Sequence, residues 1–433
     1  MSVKQPHVLI SLFFEGRLTK GGGVASNFCA NRFAGVATVE GSVKWNNAIA
    51  RSDLYSRPGD IRSHFARDYT RILHCTAYRR LKHKTQVFFD TNNDHVCTRI
   101  EHVNHVNSIS KTIAVAVGLN SELADAISLG HDLGHAPFGH KGEDVLNDIA
   151  KKLSVSERFW HEGNSLRFVD NIEVLESPSN EYCNLNLTYA VRDGILCHWG
   201  ETDEREIFPR NELVDLKNVA RDDRLLPYTW EGCVVRIADK IAYLGRDIED
   251  AFNVGILDVE HKRDLQEIFN RHIAGGECLN NTVLIHSFIL NLCSNSSPDV
   301  GIKLSDDYYY LMKDVKSYCY EHIYKHEKLE RYKKFVEHVI CVLFDILSDI
   351  VDAWKNMEDE SKIKKNYPQL SSDFFDYIRR YSLQHAEAEP AWKKIRKIYD
   401  LETEMGKEQA CLDFISGMTD KYAISMFKKA ISF

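Results

Sequence analysis

From Trp45 to the C-terminus, apolar residues recur at the three- and four-residue spacing of an α-helix and almost nowhere with the alternation of a strand. Ile61, Phe65, Tyr69, Ile72 and Leu73 share one face of a stretch that reaches Lys84 without Gly or Pro. Val103, Val106, Ile109, Ile113 and Val117 repeat the pattern from Arg99 to a stop at Gly118. There Asn120 or Ser121 can cap a helix running to about Leu133. Further helices are predicted to begin near Gly142, Asn164, Leu187, Trp230, Glu260, Asn280 and Ser305. Residues 327–433 are helical again, broken at Pro368 and Pro390. Residues 85–89 and 95–98, around the polar run 90–94, are predicted to form a short β-hairpin. The expected class is all-α. Residues 1–44, with Gly21-Gly22-Gly23 and no lasting period, are expected to be a weakly ordered N-terminal extension. Residues 45–275 form the expected catalytic core, and residues 276–433 a helical C-terminal region packing on it, with Gly275-Gly276 marking the division.

Composition narrows the function classes. At 44% apolar residues over 433 positions, wholesale disorder is excluded. No run approaches the roughly 18 apolar residues of a membrane helix, so no membrane partner is expected. Val8 to Phe14 is too short, and too soon followed by Glu15 and Arg17, for a signal-peptide core. Eleven cysteines without a Cys-x-x-Cys pair argue against a disulfide framework or a thiolate zinc site, and a reduced, cytoplasmic protein is expected. The net charge of −8 opposes wholesale binding to nucleic acid. Yet nine lysines and arginines against three aspartates lie between Arg51 and Lys84. Such a segment is either an anion site or a solvated helix face.

Histidine carries the chemistry. Of 19 in the chain, six (His102, His105, His131, His135, His140 and His161) fall within 60 residues. The richest segment reads Leu129-Gly130-His131-Asp132-Leu133-Gly134-His135-Ala136-Pro137-Phe138-Gly139-His140-Lys141-Gly142-Glu143. Adjacent helical residues project about 100° apart, so His131 and Asp132 reach one ion only where a helix ends and opens. Gly134 and Pro137 supply that ending. His-Asp alone is explained by a capping pair. Three more histidines and Glu143 around two helix breaks point instead to a cation with N and O ligands. His102 follows Arg99 on one helix face at i, i+3, while Asp239, Tyr243 and Asp247 share another face at i, i+4, i+8. By spacing alone the latter set also fits a salt-bridge network. His140 and Glu143, at i, i+3 across a helix start, are candidates for proton transfer, or for a helix-cap contact.

Arg99-Ile100-Glu101-His102, His131-Asp132 and Asp239 together form the H…HD…D pattern of HD-domain phosphohydrolases. More narrowly, the chain resembles the deoxyguanosinetriphosphate triphosphohydrolase-like family, from about Trp45 to the C-terminus. The resemblance rests on residues 65–72, on Tyr78-Arg79-Arg80-Leu81-Lys82-His83-Lys84-Thr85-Gln86-Val87, on His131 through Glu143, on residues 239–250, and on Ile415-Ser416-Gly417-Met418-Thr419-Asp420. The Arg-Arg-Leu…Lys-Thr-Gln-Val and Pro-Phe-Gly-His-x-Gly-Glu strings make it specific. Glu101-His102-Val103-Asn104-His105 departs from the commoner Thr-His-Ser-Leu-Glu.

That resemblance implies an HD-domain helical core in which His102, His131, Asp132 and Asp239 bind one divalent metal: Mn, Mg, or another such as Zn, Ni, Fe or Co. It implies hydrolysis of a deoxynucleoside triphosphate (dGTP or several dNTPs) to deoxynucleoside and triphosphate. His140, Glu143 and His161 then serve catalysis, and Gln86, Arg99, His135, Lys240, Tyr243 and Asp247 bind substrate. Within that set Arg99 and Lys240 grip phosphates, Gln86 lies near the 3′-hydroxyl, and Tyr243 lies beneath the sugar. His105 stays structural. The resemblance also implies a homo-oligomer, tetramer or hexamer, with room for a dNTP effector at a second site and for single-stranded DNA. Two other readings remain. One is another HD-domain nucleotide phosphohydrolase or phosphodiesterase; many of these hold two metals, and after Glu143 the chain offers His161, His198 and few other histidines before Asp239. The other is a nucleotide sensor or single-strand binder using the cationic segment.

Overall fold

The computed structural model describes residues 31–51, 59–89, 93–153, 159–199, 204–221, 224–273, 280–355, 360–385 and 390–432. Its framework is helical: α1 (His64–His74), α2 (Arg99–Val117), α3 (Ser121–Gly130), α4 (Gly139–Leu153), α5 (His161–Arg167), α6 (Tyr189–Leu196), α7 (Trp230–Asn253), α8 (Asn281–Asn295), α9 (Asp306–Cys319), α10 (Glu327–Lys355), α11 (Glu404–Ser416) and α12 (Asp420–Ile431), with further helices at Val259–His272 and Pro368–Tyr381 and shorter helical segments between. Helix α3 is the axis, buried on nearly every side and packed against α1, α2, α6 and α7. Buried apolar side chains form one continuous core from Phe33 to Phe427. Helix α8 packs on α2 and α7, and α10 on α4, α11 and α12. No helix among the described residues is long and apolar enough to cross a membrane.

Local chemistry explains the ends of α2 and α3. Thr98 and Glu101 form a capping box, the Thr98 amide donating to Glu101 Oε2 at 2.7 Å. At the other end Gly118 takes a left-handed φ of 86° and its amide closes on Ala114 O. Asn120 Oδ1 then caps α3 by accepting from Glu122 and Leu123.

Three expectations are corrected. The single helix expected over 61–84 breaks at Cys75, which is extended at ψ 158°. Thr76 donates there through amide and hydroxyl to Glu173 Oε2, an attraction from 97 residues away that local periodicity cannot register. The hairpin expected at 85–98 is reduced to one antiparallel bridge, Thr85 to Thr98, and residues 90–92 lie outside the described residues. Side chains satisfy the backbone groups that a ladder would have used. Asp420 accepts from Thr85 N, Asp250 from Cys97 N, and the Arg99 guanidinium donates to Thr85 O and Gln86 O. The strands that do form are minimal pairs elsewhere: β1 (Val174–Glu176) with β2 (Tyr182–Asn184), and β3 (Glu206–Ile207) with β4 (Ile302–Lys303), both antiparallel. Thirdly, residues 31–44, assigned with the N-terminal extension, are built into the core. Phe33 is fully buried with its amide on Val117 O, and Thr38 donates to the buried Glu231. A run of turns has no period, so only its anchors could have revealed it.

Candidate metal centre

The expected helix to Leu133 ends at Gly130, and residues 131–138 form a tight connection into α4, which starts at Gly139. Its path needs close backbone approach: a Cβ on Gly134 would lie 2.1 Å from Ser165 N. Phe138 and Gly139 both take left-handed φ values, 67° and 61°. This opening turns His131, Asp132 and His135 inward; their side chains are almost completely buried.

Four side chains converge here, two from helices α2 and α7 and two from the turn after α3. His102, on α2, lies 2.9 Å from Asp239 Oδ1 on α7 through its Nε2, and 3.9 Å from Asp132 Oδ2. His131 Nε2 is 3.3 Å from Asp132 Oδ1 and 3.8 Å from Asp239 Oδ1. His131 Nδ1 donates to Ser128 O at 2.7 Å, which leaves Nε2 as a buried lone pair with no hydrogen-bond partner. That tautomer, fixed by a backbone carbonyl, is what a metal-ligating imidazole requires. The donor set of two imidazoles and two carboxylates fits a divalent Mn, Fe, Co, Ni, Zn or Mg ion. Burial would raise the Asp239 carboxyl, but the His102 hydrogen bond and the charges of His102 and His131 together outweigh it and hold the group at about 2. His102 shows the converse: burial lowers it, and Asp239 and Asp132 raise it above its ordinary value. Burial likewise opposes ionisation of Asp132, which the neighbouring imidazoles and Arg99 nonetheless hold well below the usual range.

A second cluster abuts the first. His135 Nδ1 lies 3.1 Å from Asp132 Oδ1, and its ring is 4.0 Å from that of His161. Glu143 Oε2 is 2.9 Å from His161 Nδ1 but 3.4 Å from His140 Nδ1. The carboxylate therefore orients His161 more closely than its expected partner His140, whose side chain is 66% exposed. Burial disfavours the Glu143 anion, yet His161 and His140 hold that carboxyl well below its usual range. Burial lowers His161, but Glu162 and Glu143 push it up to about 10.

The remaining expected residues are placed as follows. Arg99 is buried and donates to Asp132 Oδ2, Thr85 O and Gln86 O. Gln86 Oε1 and Asp247 Oδ1 are buried without hydrogen-bond partners, while Asp247 Oδ2 accepts from Tyr324 OH at 2.5 Å. Tyr243 is half-buried, one turn on from Asp239. Lys240 is buried and lines a narrow cavity of about 20 Å³ beside Lys303 and Lys313. The cationic segment is largely spent internally: Arg51 pairs with Asp68, Arg62 and Arg67 with Asp60, and Arg80 with Glu173.

The HD domain family matches residues 99–244. A deoxyguanosinetriphosphate triphosphohydrolase-like protein of Caldanaerobacter subterraneus subsp. tengcongensis is 34% identical over 86% of this chain and 85% of its own length. Relatives of the same description from Desulfatibacillum aliphaticivorans and Clostridium perfringens are 33% and 31% identical, covering 86% and 89% of this chain and 88% and 92% of their own. The chain belongs to the deoxyguanosinetriphosphate triphosphohydrolase-like family.

Sequence reasoning assigned no site role to three residues that border the centre of this family member. Tyr324 was invisible because it comes from a one-turn π-helical segment (Tyr320–Tyr324) 77 residues beyond Asp247. Glu162 Oε2 lies 3.4 Å from His161 Nδ1. His198 lies 4.9 Å, ring to ring, from His131 and 5.5 Å from His161. Burial, with His131 and His161 nearby, pushes His198 down to about 3. Its signal was present: a histidine just past the end of an apolar helix, the pattern that singled out His131.

Proposed function

We propose that the chain hydrolyses deoxynucleoside triphosphates, dGTP or several dNTPs, to deoxynucleoside and triphosphate, with a divalent cation held by His102, His131, Asp132 and Asp239. The observation that carries this reading is the shared wall between the two clusters, His135 Nδ1 at 3.1 Å from Asp132 Oδ1. Cation ligands and proton-transfer groups thus face one reacting centre. A divalent ion bound there supplies Lewis acidity toward a phosphoryl oxygen and lowers the pKa of water. Glu143 fixes the His161 ring through Nδ1 and so aims its far edge at the leaving oxygen. His140, open to solvent, exchanges the proton. Arg99, His135 and Lys240 offset phosphate charge. Gln86 Oε1 and Asp247 Oδ1, buried and unpartnered, are the acceptors offered to sugar hydroxyls, over Tyr243 as floor.

Incubation with Mn and each dNTP, followed by ion-exchange chromatography, tests the reading. Release of intact triphosphate is expected. Pyrophosphate or single phosphate would make the chain a different HD-domain phosphohydrolase, and saturable binding without turnover would make it a sensor.

A further inference from the structure

Asp247 is a buried carboxylate whose two oxygens are treated differently. Oδ2 accepts from Tyr324 OH at 2.5 Å, while Oδ1 is shielded from water and has no hydrogen-bond partner. Taking a carboxylate oxygen out of water without a donor is costly, so an oxygen left bare in this way is expected to meet a donor that arrives with a ligand. The carboxylate faces the candidate centre, where the charges of His102, Arg99 and His140 all favour its anion.

Tyr324 reaches that carboxylate by an irregular route. Helix α9 gives way after Cys319 to the π-helical turn Tyr320–Tyr324, which ends before α10 begins at Glu327. Single turns of this kind are rare and recur at functional sites. Here the turn brings the phenol onto α7, against which α9 packs. Burial and the Asp247 charge hold the phenol well above its ordinary value, so it keeps its hydrogen and donates. A carboxylate turns broadly about its last torsion. Bonding Oδ2 fixes that torsion, and Oδ1 is then offered in one direction.

We infer that Tyr324 is a positioning residue for sugar recognition: by holding Asp247 Oδ2 it sets Oδ1 to accept from the 3′-hydroxyl of the substrate, and so confines the chain to nucleotides that carry that hydroxyl. This rests on the reading that the substrate is a deoxynucleoside triphosphate whose sugar meets Asp247. A 2′-deoxynucleotide has one free sugar hydroxyl and one hydrogen to donate from it. The charged Oδ1 is a stronger acceptor for it than the neutral Gln86 Oε1. An analogue without the hydroxyl leaves the buried oxygen bare and is rejected for that reason. Tyr324 acts through Asp247 and touches neither sugar nor phosphate.

The test compares each dNTP with its 2′,3′-dideoxy analogue on the full chain with Mn, read by triphosphate release. Wild type is expected to prefer the hydroxyl-bearing substrate by at least about 100-fold in kcat/KM. Tyr324→Phe keeps the ring and deletes the donor. Its kcat/KM for dNTP is expected to fall by about 10-fold or more through a raised KM, while the dideoxy analogue loses little, so the preference shrinks. In an Asp247→Ala background the same substitution is expected to change the preference no further. Tyr324→Met, apolar and without a donor, supplies the same readout should Tyr324→Phe fail to fold. Equal losses on both substrates in Tyr324→Phe would make Tyr324 a structural tether and overturn the proposal. An unchanged preference in Tyr324→Phe, or a further change in the Asp247→Ala background, would also overturn it. Wild type that hydrolyses both substrates alike would overturn it and leave the hydrolysis standing. No turnover of any dNTP would remove the hydrolytic reading alone; calorimetric binding of the same pairs to Mn-loaded wild type and Tyr324→Phe then decides the proposal by the same ratio, and no binding of either would overturn both.

Discussion

Arg99 Nη1 donates to Asp132 Oδ2 at 2.6 Å, and both side chains are almost wholly shielded from water. An arginine expected to grip phosphate is thus bonded directly to a carboxylate of the candidate metal centre. It balances one of the two acidic groups there and, through Thr85 O and Gln86 O, ties the centre to the segment bearing Gln86. Arg99→Gln removes the guanidinium from a buried carboxylate and leaves it only imidazole neighbours; breaking such a buried pair costs up to about 3–5 kcal/mol. The same loss makes the site more negative, so a bound cation offsets part of it. Thermal unfolding with and without Mn should show a lower melting temperature for the metal-free variant and a larger upward shift on adding Mn than in wild type. Equal shifts in the two proteins would remove this electrostatic account.

Ligand and proton-transfer roles separate by mutation. Asp132 touches His131, His102 and His135 at once, so Asp132→Ala should abolish Mn binding. His140 is exposed and lies 3.4 Å from Glu143, so His140→Ala should keep the Mn content and the melting temperature. Its turnover of dNTP should nevertheless fall by about 10²–10⁴-fold, the usual contribution of a positioned acid or base. Full activity in His140→Ala with normal metal content would assign the proton transfer to another residue.

What the sequence revealed and what it hid divide along one physical line. Helical periodicity, the Gly118 stop and the Asn120 cap are local, and all were legible. Clustered histidines on two helix breaks pointed to the candidate centre because side chains that meet at a helix end need glycine and proline nearby. Contacts across the chain were not legible. Glu173 breaks the helix after His74, Asp420 replaces the hairpin ladder at Thr85, and Tyr324 covers Asp247, each from many residues away. The cationic segment shows the same limit, since the aspartates and Glu173 that spend its charge are recognisable only once folded.

Asp247 predicts a pH dependence of stability. Burial raises its carboxyl from 3.8 to about 6, even though the Tyr324 hydroxyl favours the anion. An acid raised in the folded state binds its proton more tightly there than when unfolded, so stability declines as pH rises from about 3.8 to about 6. The penalty is absent below that window and complete above it. Asp247→Asn keeps an acceptor for Tyr324 and removes the ionisation. Relative to wild type it should gain up to about 3 kcal/mol between pH 4 and pH 7, at 1.36 kcal/mol for each pKa unit. Urea unfolding at both pH values measures the difference; a gap that stays constant with pH would show that Asp247 does not titrate there.

Asp420 predicts a coupling between the C-terminal helix α12 and the 131–138 connection. Its Oδ1 accepts from Phe138 N at 2.8 Å and its Oδ2 from Thr85 N at 2.9 Å. One carboxylate therefore clasps the residue before Gly139-His140 and the residue before Gln86. Lys84 reinforces the clasp from below, donating to His135 O and, at 2.9 Å, to Ser416 O. Phe138 needs the restraint because a left-handed φ of 67° is unfavourable for a bulky residue. Asp420→Ala strands both amides, at about 1–3 kcal/mol for each buried donor left unmade. The relaxed connection should then misplace His140 and Gln86 together. The four proposed ligands His102, His131, Asp132 and Asp239 lie on α2, on α7 and just past the end of α3, so Mn binding should be retained. Hydrogen exchange should show lost protection at Thr85 and Phe138, alongside a fall in kcat. Asp420→Asn, with one acceptor oxygen in place of two, should recover protection at one of the two amides and part of the rate. Undiminished protection at both amides in Asp420→Ala would show that the connection holds its shape without the C-terminal carboxylate.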